Sequence, residues 1–297
     1  MIGASRIQGF LFRVLMRVIK QMIRTIFSIF VLAAICWSQN DQPSGSNQDT
    51  QASHPSTPID QSKDPNAQKA RALLQQMIQA LGGDAYLTVK DIEQEGRTNG
   101  FYHGNPSGST APFWRFVRFP DKERVELTKQ RDWIMLYTGD EGYEITFRGT
   151  KPLDPKDLKE YLQRREYSLD RVLRTWINAP GTALFYEGDG FVDNRQVDNV
   201  SVINAQNQAV TISIDRANHL PVKKSFKARN PEDKEMDEED EIYGNYRVEQ
   251  GFNTPHIITR LKNGETTSER FVTKITYNQG LPDSMFVATP PTRAKKK

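Results

Sequence analysis

The chain has 297 residues, 37% of them hydrophobic and 26% charged, enough for one or two globular domains with polar extensions. Forty Lys and Arg face 37 Asp and Glu, but five of the positives (Arg6, Arg13, Arg17, Lys20 and Arg24) fall in the first 38 residues, which hold no acid. Without that leader, 35 basic residues against 37 acidic ones leave a slightly acidic body, which removes the main electrostatic support for a nucleic-acid partner.

The leader runs into an uncharged apolar stretch, TIFSIFVLAAICW (Thr25–Trp37). Its length suits a signal-peptide core and is short for a membrane span, which needs ~20 residues. Cys36 and Ser38 stand at the −3 and −1 places of a cleavage before Gln39. The expectation is export with a signal peptide over 1–38; the alternative is an uncleaved helix that anchors the protein in the inner membrane. Met16 and Met22 are alternative starts, because the basic leader is long. Cys36 is the only cysteine, and Ile35 before it is bulky for a lipidation box. Cleavage after Ser38 leaves no disulfide, no thiolate metal site and no cysteine nucleophile.

Residues 39–65 contain almost nothing apolar to bury and read as a disordered polar linker. Asp64 and Pro65 then supply an N-cap and a first-turn proline. Ala70, Leu73, Leu74, Met77, Ile78 and Leu81 follow at helical spacing until Gly82–Gly83, which marks an amphipathic helix at both ends. From Val89 onward, short extended runs alternate with turns: two strands around PDKE in Pro112–Leu127, two more around TGDEG in Arg131–Thr150. Leu153–Gly181 interrupts with two short helices, one presenting Leu158, Tyr161 and Leu162, the other Leu169, Val172, Leu173, Trp176 and Ile177. Strands resume to the end, broken by a solvated acidic loop over Asn230–Asp240, and a basic tail covers 291–297. Strand after strand with helices at two places predicts α+β: a large curved antiparallel sheet, an incomplete β-barrel, wrapped over a few helices. In WIMLY, Trp133, Met135 and Tyr137 point one way and Ile134 and Leu136 the other, so this strand is apolar on both faces and needs cover on both.

Catalytic and metal chemistry finds no support. His54, His103, His219 and His256 are dispersed with no ligand partner at i+4, and read as turn or surface residues. GxSxG and P-loop patterns are absent, and Asp189 and Asp193 sit in a stretch that reads as a hairpin loop. Glu232–Glu241 lacks the spacing that wraps a chain around calcium. The expectation is no enzyme, no cofactor and no catalytic or metal residues. What remains is an apolar inventory, either plain core or the lining of a cavity. The candidate lining residues are Trp114, Phe116, Trp133, Met135, Tyr137, Phe147, Leu173 and Trp176.

The order of three C-terminal stretches carries a resemblance: ISIDRANHLPVKKSF (Ile212–Phe226), EIYGNYRVEQGFNTPHIITRLKNGE (Glu241–Glu265) and VTKITYNQGLPDSMF (Val272–Phe286). A strand ending in Asp215 meets the HLP turn, Tyr246–Arg247 precede a Gly251-to-Pro255 turn, and Asn278 leads into LPDSMF. ALGG (Ala80–Gly83), FPDKERVE (Phe119–Glu126) and GDEGYE (Gly139–Glu144) fit the same order upstream. The chain resembles the periplasmic lipoprotein-localisation proteins of the LolA and LolB type over residues 66–290. The resemblance implies a half-barrel whose apolar inner side holds acyl chains of lipids or lipoproteins, with envelope membrane proteins as candidate further partners, and a periplasmic location. The competing expectation is an envelope scaffold that uses the same fold with a filled core. No single cargo-contacting residue carries over from the resemblance.

Overall fold

A computed structural model describes residues 61–230 and 234–289; the expected leader, most of the expected linker and the basic tail lie outside the described residues. Helix α1 (Pro65–Leu81) begins where the sequence predicts, with the Asp64 side chain accepting from the Asn66 N–H at 3.0 Å. It ends at Gly82, whose φ of 136° is costly for any other residue and where a Cβ would lie only 2.5 Å from the Phe252 ring. A short helix, α2 (Asp84–Leu87), follows. Just before α1, Gln61–Lys63 form a 3-10 turn at the end of the predicted linker.

Six strands come next: β1 (Asp91–Tyr102), β2 (Asn105–Arg118), β3 (Lys122–Leu127), β4 (Trp133–Thr138), β5 (Glu141–Thr146) and β6 (Gly149–Pro152). Helices α3 (Pro155–Glu166) and α4 (Leu169–Arg174) interrupt them. Seven strands complete the chain: β7 (Ala183–Val192), β8 (Arg195–Ile203), β9 (Ala209–Asp215), β10 (Pro221–Arg229), β11 (Met236–Glu249), β12 (Phe252–Lys262) and β13 (Glu265–Tyr277). All thirteen form one antiparallel sheet in the order β6-β5-β4-β3-β2-β1-β13-β12-β11-β10-β9-β8-β7. Every neighbour but one is joined by a hairpin, so the sheet consists of two meanders stitched at β1–β13. The first meander walks out to one edge at β6 and the second walks back from the other edge at β7. The segment between them, α3–α4, must therefore run from one edge to the other. In this way the topology itself supplies cover for one face.

The sheet stays open, and both edges are guarded. β6 has four residues and ends in Pro152, which has no N–H to offer a further strand. At β7, Asn66 accepts from the Tyr186 N–H at 2.8 Å and donates to its carbonyl at 2.9 Å, while Gln61 Oε1 accepts from the Leu184 N–H at 2.8 Å. A register shift at Glu95/Gly96 bends β1; a Cβ on Gly96 would lie 2.0 Å from the Phe271 carbonyl oxygen, so the bulge requires glycine.

The acidic run is a correction to the expected loop. Met236–Asp240 belong to β11, where three of the four acids meet a cation on a neighbouring strand: Asp237 with Lys262 (2.8 Å), Glu238 with Lys227 (3.5 Å) and Asp240 with Lys223 (3.0 Å). The GDG stretch also differs from a loop. β7 runs through Asp189 to Val192, and the turn is confined to Asp193–Asn194, both with positive φ.

Three cores result. One packs α1, α4 and the Trp176–Asn178 turn onto β8–β10 through Leu74, Met77, Leu173, Val200, Val202, Val210, Ile212 and Ile214. A second, around Ile92, Phe113, Tyr243, Phe252, Ile258 and Ile275, sits at the stitch between the meanders. The third lies on the opposite face of β2, β4 and β5, where Phe116, Ile134, Leu136 and Ile145 are covered by Leu281 and Phe286 of the C-terminal segment. Asp283 pins that segment with 2.7 Å ion pairs to Arg118 and Lys122. This is the cover that the two-faced WIMLY strand demanded.

Candidate functional site

Beneath α2, α3 and α4, the inner face of β1–β4 and β11–β13 is not filled. A cavity of about 680 Å³ opens there, inside the roughly 300–1,000 Å³ usual for ligand sites. Strand alternation builds its wall. Phe113, Arg115 and Val117 face inward from β2, Glu123, Val125 and Leu127 from β3, Met135 and Tyr137 from β4, and Ile258 and Arg260 from β12. β13 adds Arg270, Ile275 and Tyr277. Tyr86, Tyr161, Leu169, Asp170 and Arg174 come from the helices above.

The wall is thus apolar with ions set into it. Arg115 grips Glu123 bidentately at 2.7 and 3.1 Å and donates to Gln94 at 3.1 Å; the Tyr161 hydroxyl donates to the same carboxylate at 3.3 Å. Burial works against both charges, but the pair outweighs it, keeping Glu123 below and Arg115 above their ordinary pKa values. Tyr161 stacks on Tyr137 with ring centroids 3.4 Å apart. Burial, with the Glu123 charge next, pushes Tyr137 up to about 12.

Glu241 is the second fixed carboxylate. It takes Lys224 at 3.1 Å, Arg260 at 2.9 Å and the Tyr243 hydroxyl at 2.9 Å. Burial alone would raise its pKa; Lys224 and then Arg260 hold it well below the carboxylate range. In the cover, Arg174 donates to the carbonyls of Leu87 (2.6 Å), Tyr86 (2.8 Å) and Val89 (2.9 Å) and lies 4.0 Å over the Phe119 ring, which fastens α4 to the C-terminal end of α2 and to the residues just after it. The Tyr86 hydroxyl donates to Asp170 at 3.2 Å.

The eight sequence candidates separate by strand phase. Met135 and Tyr137 lie on the cavity wall. Trp133 shares their face but sits at the start of β4, 45% exposed, and Phe147, just past β5, is 60% exposed. Trp114 and Phe116 face the other way, into the core closed by Leu281 and Phe286. Leu173 and Trp176 are buried in the core of α1 and β8–β10, with Trp176 Nε1 donating to Glu166 at 3.0 Å. Sequence reasoning missed Arg115, Glu123, Glu241, Arg260 and Arg270. The available signal was their phase: Arg115 alternates in step with Phe113 and Val117, and Glu123 with Val125 and Leu127, so each is a charge on an apolar face. His256 also corrects the surface reading of the histidines. It is buried, its Nδ1 2.8 Å from the Val272 carbonyl oxygen and its Nε2 3.1 Å from Glu249.

Among the described residues no group of His, Cys, Asp and Glu could hold a metal ion, and no helix is long and apolar enough to cross a membrane.

Solved structures share this architecture at low sequence identity. A domain assigned to outer membrane lipoprotein sorting from Vibrio parahaemolyticus aligns with a TM-score of 0.50 at 11% identity, covering 74% of this chain and 97% of that one. A DUF1329 family protein from Desulfovibrio piger gives 0.50 at 10% identity, covering 73% and 97%. A LolA superfamily protein from Nitrosomonas europaea gives 0.45 at 13% identity, again covering 73% and 97%. No family model and no curated protein matches the sequence. The likeness to the first two shows the fold that they share with this chain: an open, curved antiparallel sheet with a few helices.

Proposed function

We propose that this protein is an exported, non-catalytic carrier that holds acyl chains of lipids or lipoproteins in the cavity between the sheet and its helices. One observation carries the reading: α1 packs directly onto β8–β10, whereas beside the second core the helices leave a cavity of about 680 Å³ over β1–β4 and β11–β13. A scaffold would gain stability by filling both halves. A carrier gains affinity from the empty one, at about 0.8 kcal/mol for each methylene taken from water. Periplasmic location belongs to the same proposal, motivated by the basic leader and the short apolar run before Gln39.

Protein purified from native envelope answers both parts by mass spectrometry. The expected result is an N-terminus at or near Gln39 together with co-purified acyl lipid. Titration of the lipid-stripped protein with a fluorescent fatty acid should then saturate at one site. Lipid-free material that takes up no probe would leave the scaffold reading in place, and an intact leader on membrane-bound protein would establish the anchor instead.

A further inference from the structure

The ionic groups on the cavity wall do not balance. Arg115 is committed to Glu123 and Gln94, and Arg260 shares Glu241 with Lys224. Arg270 is a further wall cation, and its side chain makes no hydrogen bond or ion pair among the described residues. It lies in register between Thr98 of β1 and Ile258 of β12, and its nearest aromatic contact is the Phe113 ring at 5.8 Å. The charges that face it are Arg260 and Arg115, which repel it, and Glu123 and Glu241, whose oxygens are already engaged. Burial first, and then these two arginines, lower its pKa to about 9. The Arg270 side chain is half-buried, and a cation held partly out of water without a partner costs stability.

We propose that Arg270 is the anchor for the anionic end of the cargo, so that the cavity selects acyl-chain amphiphiles ending in a carboxylate or a phosphate. This rests on the carrier reading above and adds the polarity and orientation of the ligand. The guanidinium presents a planar pair of donors, which matches a carboxylate or phosphate in two parallel hydrogen bonds. Phe113, Ile258, Val125, Leu127 and Met135 supply apolar wall for the chain beyond it. A neutral headgroup would leave the Arg270 charge as unpaired as it is without cargo.

Calorimetric titration of the lipid-stripped protein with palmitate, hexadecyl phosphate, hexadecanol and acetate tests the assignment, with Arg270→Gln and Arg270→Lys as variants. Palmitate and hexadecyl phosphate are expected to bind at least about tenfold tighter than hexadecanol. Arg270→Gln should abolish that preference by weakening palmitate and hexadecyl phosphate far more than hexadecanol, and Arg270→Lys should retain most of it. Arg270→Gln should also melt no lower than the parent, since it removes an uncompensated charge. Equal binding of palmitate and hexadecanol, or an unchanged preference in Arg270→Gln, would overturn the anchor and leave the carrier reading intact. Acetate binding as tightly as palmitate would keep the anion site but remove the acyl chain. No binding of any long-chain probe would remove both.

Discussion

The two halves of the sheet are built by the same alternation and differ in what meets their inner face. Over β8 and β9 the inward positions are mainly apolar (Val200, Val202, Val210, Ile212 and Ile214), β10 adds Phe226 and the buried Lys224, and α1 answers with seven buried residues. Over β1–β4 and β11–β13, arginines and glutamates interrupt the apolar phase, and the helix above, α3, contributes no buried residue at all. One helix fills and the other only covers. A continuous sheet can therefore hold a packed core and a hollow side by side, with Glu123 and Glu241 of the hollow half paired to arginines and a lysine on the sheet itself.

The largest effect is expected where the halves join. Glu241 receives Lys224 from β10 of the packed half and Arg260 from β12 of the hollow one. Glu241→Gln strands a lysine whose side chain is 2% exposed, and should cost about 3–5 kcal/mol in chemical denaturation. A small loss would show that the two halves are less tightly joined than the ion pairs suggest.

Next comes a matched pair of truncations. Ile212→Ala, in the packed half, should cost about 2–5 kcal/mol and leave fatty-acid binding by the folded fraction untouched. Met135→Ala, on the hollow wall, enlarges existing space and should cost less than about 2 kcal/mol while changing fatty-acid affinity severalfold. Equal costs from both, with no ligand bound, would erase the distinction between the halves.

The smallest and most graded effect is acid sensitivity. The carboxyls of Glu123 and Glu241 have folded pKa values below those of the unfolded chain, ordinarily about 4.3. Their contribution is complete above that value and is lost as the pH falls through the folded values, because the unfolded chain then binds more protons. Denaturation curves from pH 7 down to pH 3 should show this decline, and Glu241→Gln should flatten part of it. An identical slope in the variant would assign the acid sensitivity to other carboxylates.

Local chemistry made much of the fold legible. Asp64, Pro65 and Gly82 delimit α1, and the two-residue Asp193–Asn194 turn closes its hairpin. The wall residues were harder to find, for a reason of parity. Trp114 and Phe116 lie one phase away from Phe113 and Arg115, and which phase faces the helices depends on pairing across strands. Phe116 pairs with Arg124 and Arg124 with Leu136, so Phe116 shares the outer face with Leu136, not the inner face with Met135 and Tyr137. The intervening loop, with positive φ at Thr128 and Arg131, fixes that register through backbone geometry that composition does not report. The acidic run misled for a related reason. Asp237, Glu238 and Asp240 are strand residues with lysines from neighbouring strands placed opposite them, which the run by itself does not reveal.

The seam between β1 and β13 has a consequence for how the protein is made. Each meander can form from contacts between neighbours in sequence, whereas the seam joins residues such as Asp91 and Gly280, which are 189 positions apart and bonded at 3.0 Å. Contacts of that separation are slow to form, since the loop they close must lose its freedom first. The hollow takes walls from both meanders, so it does not exist until the last strand arrives. A chain still emerging from the ribosome therefore has no such cavity, which appears only with the completed sheet.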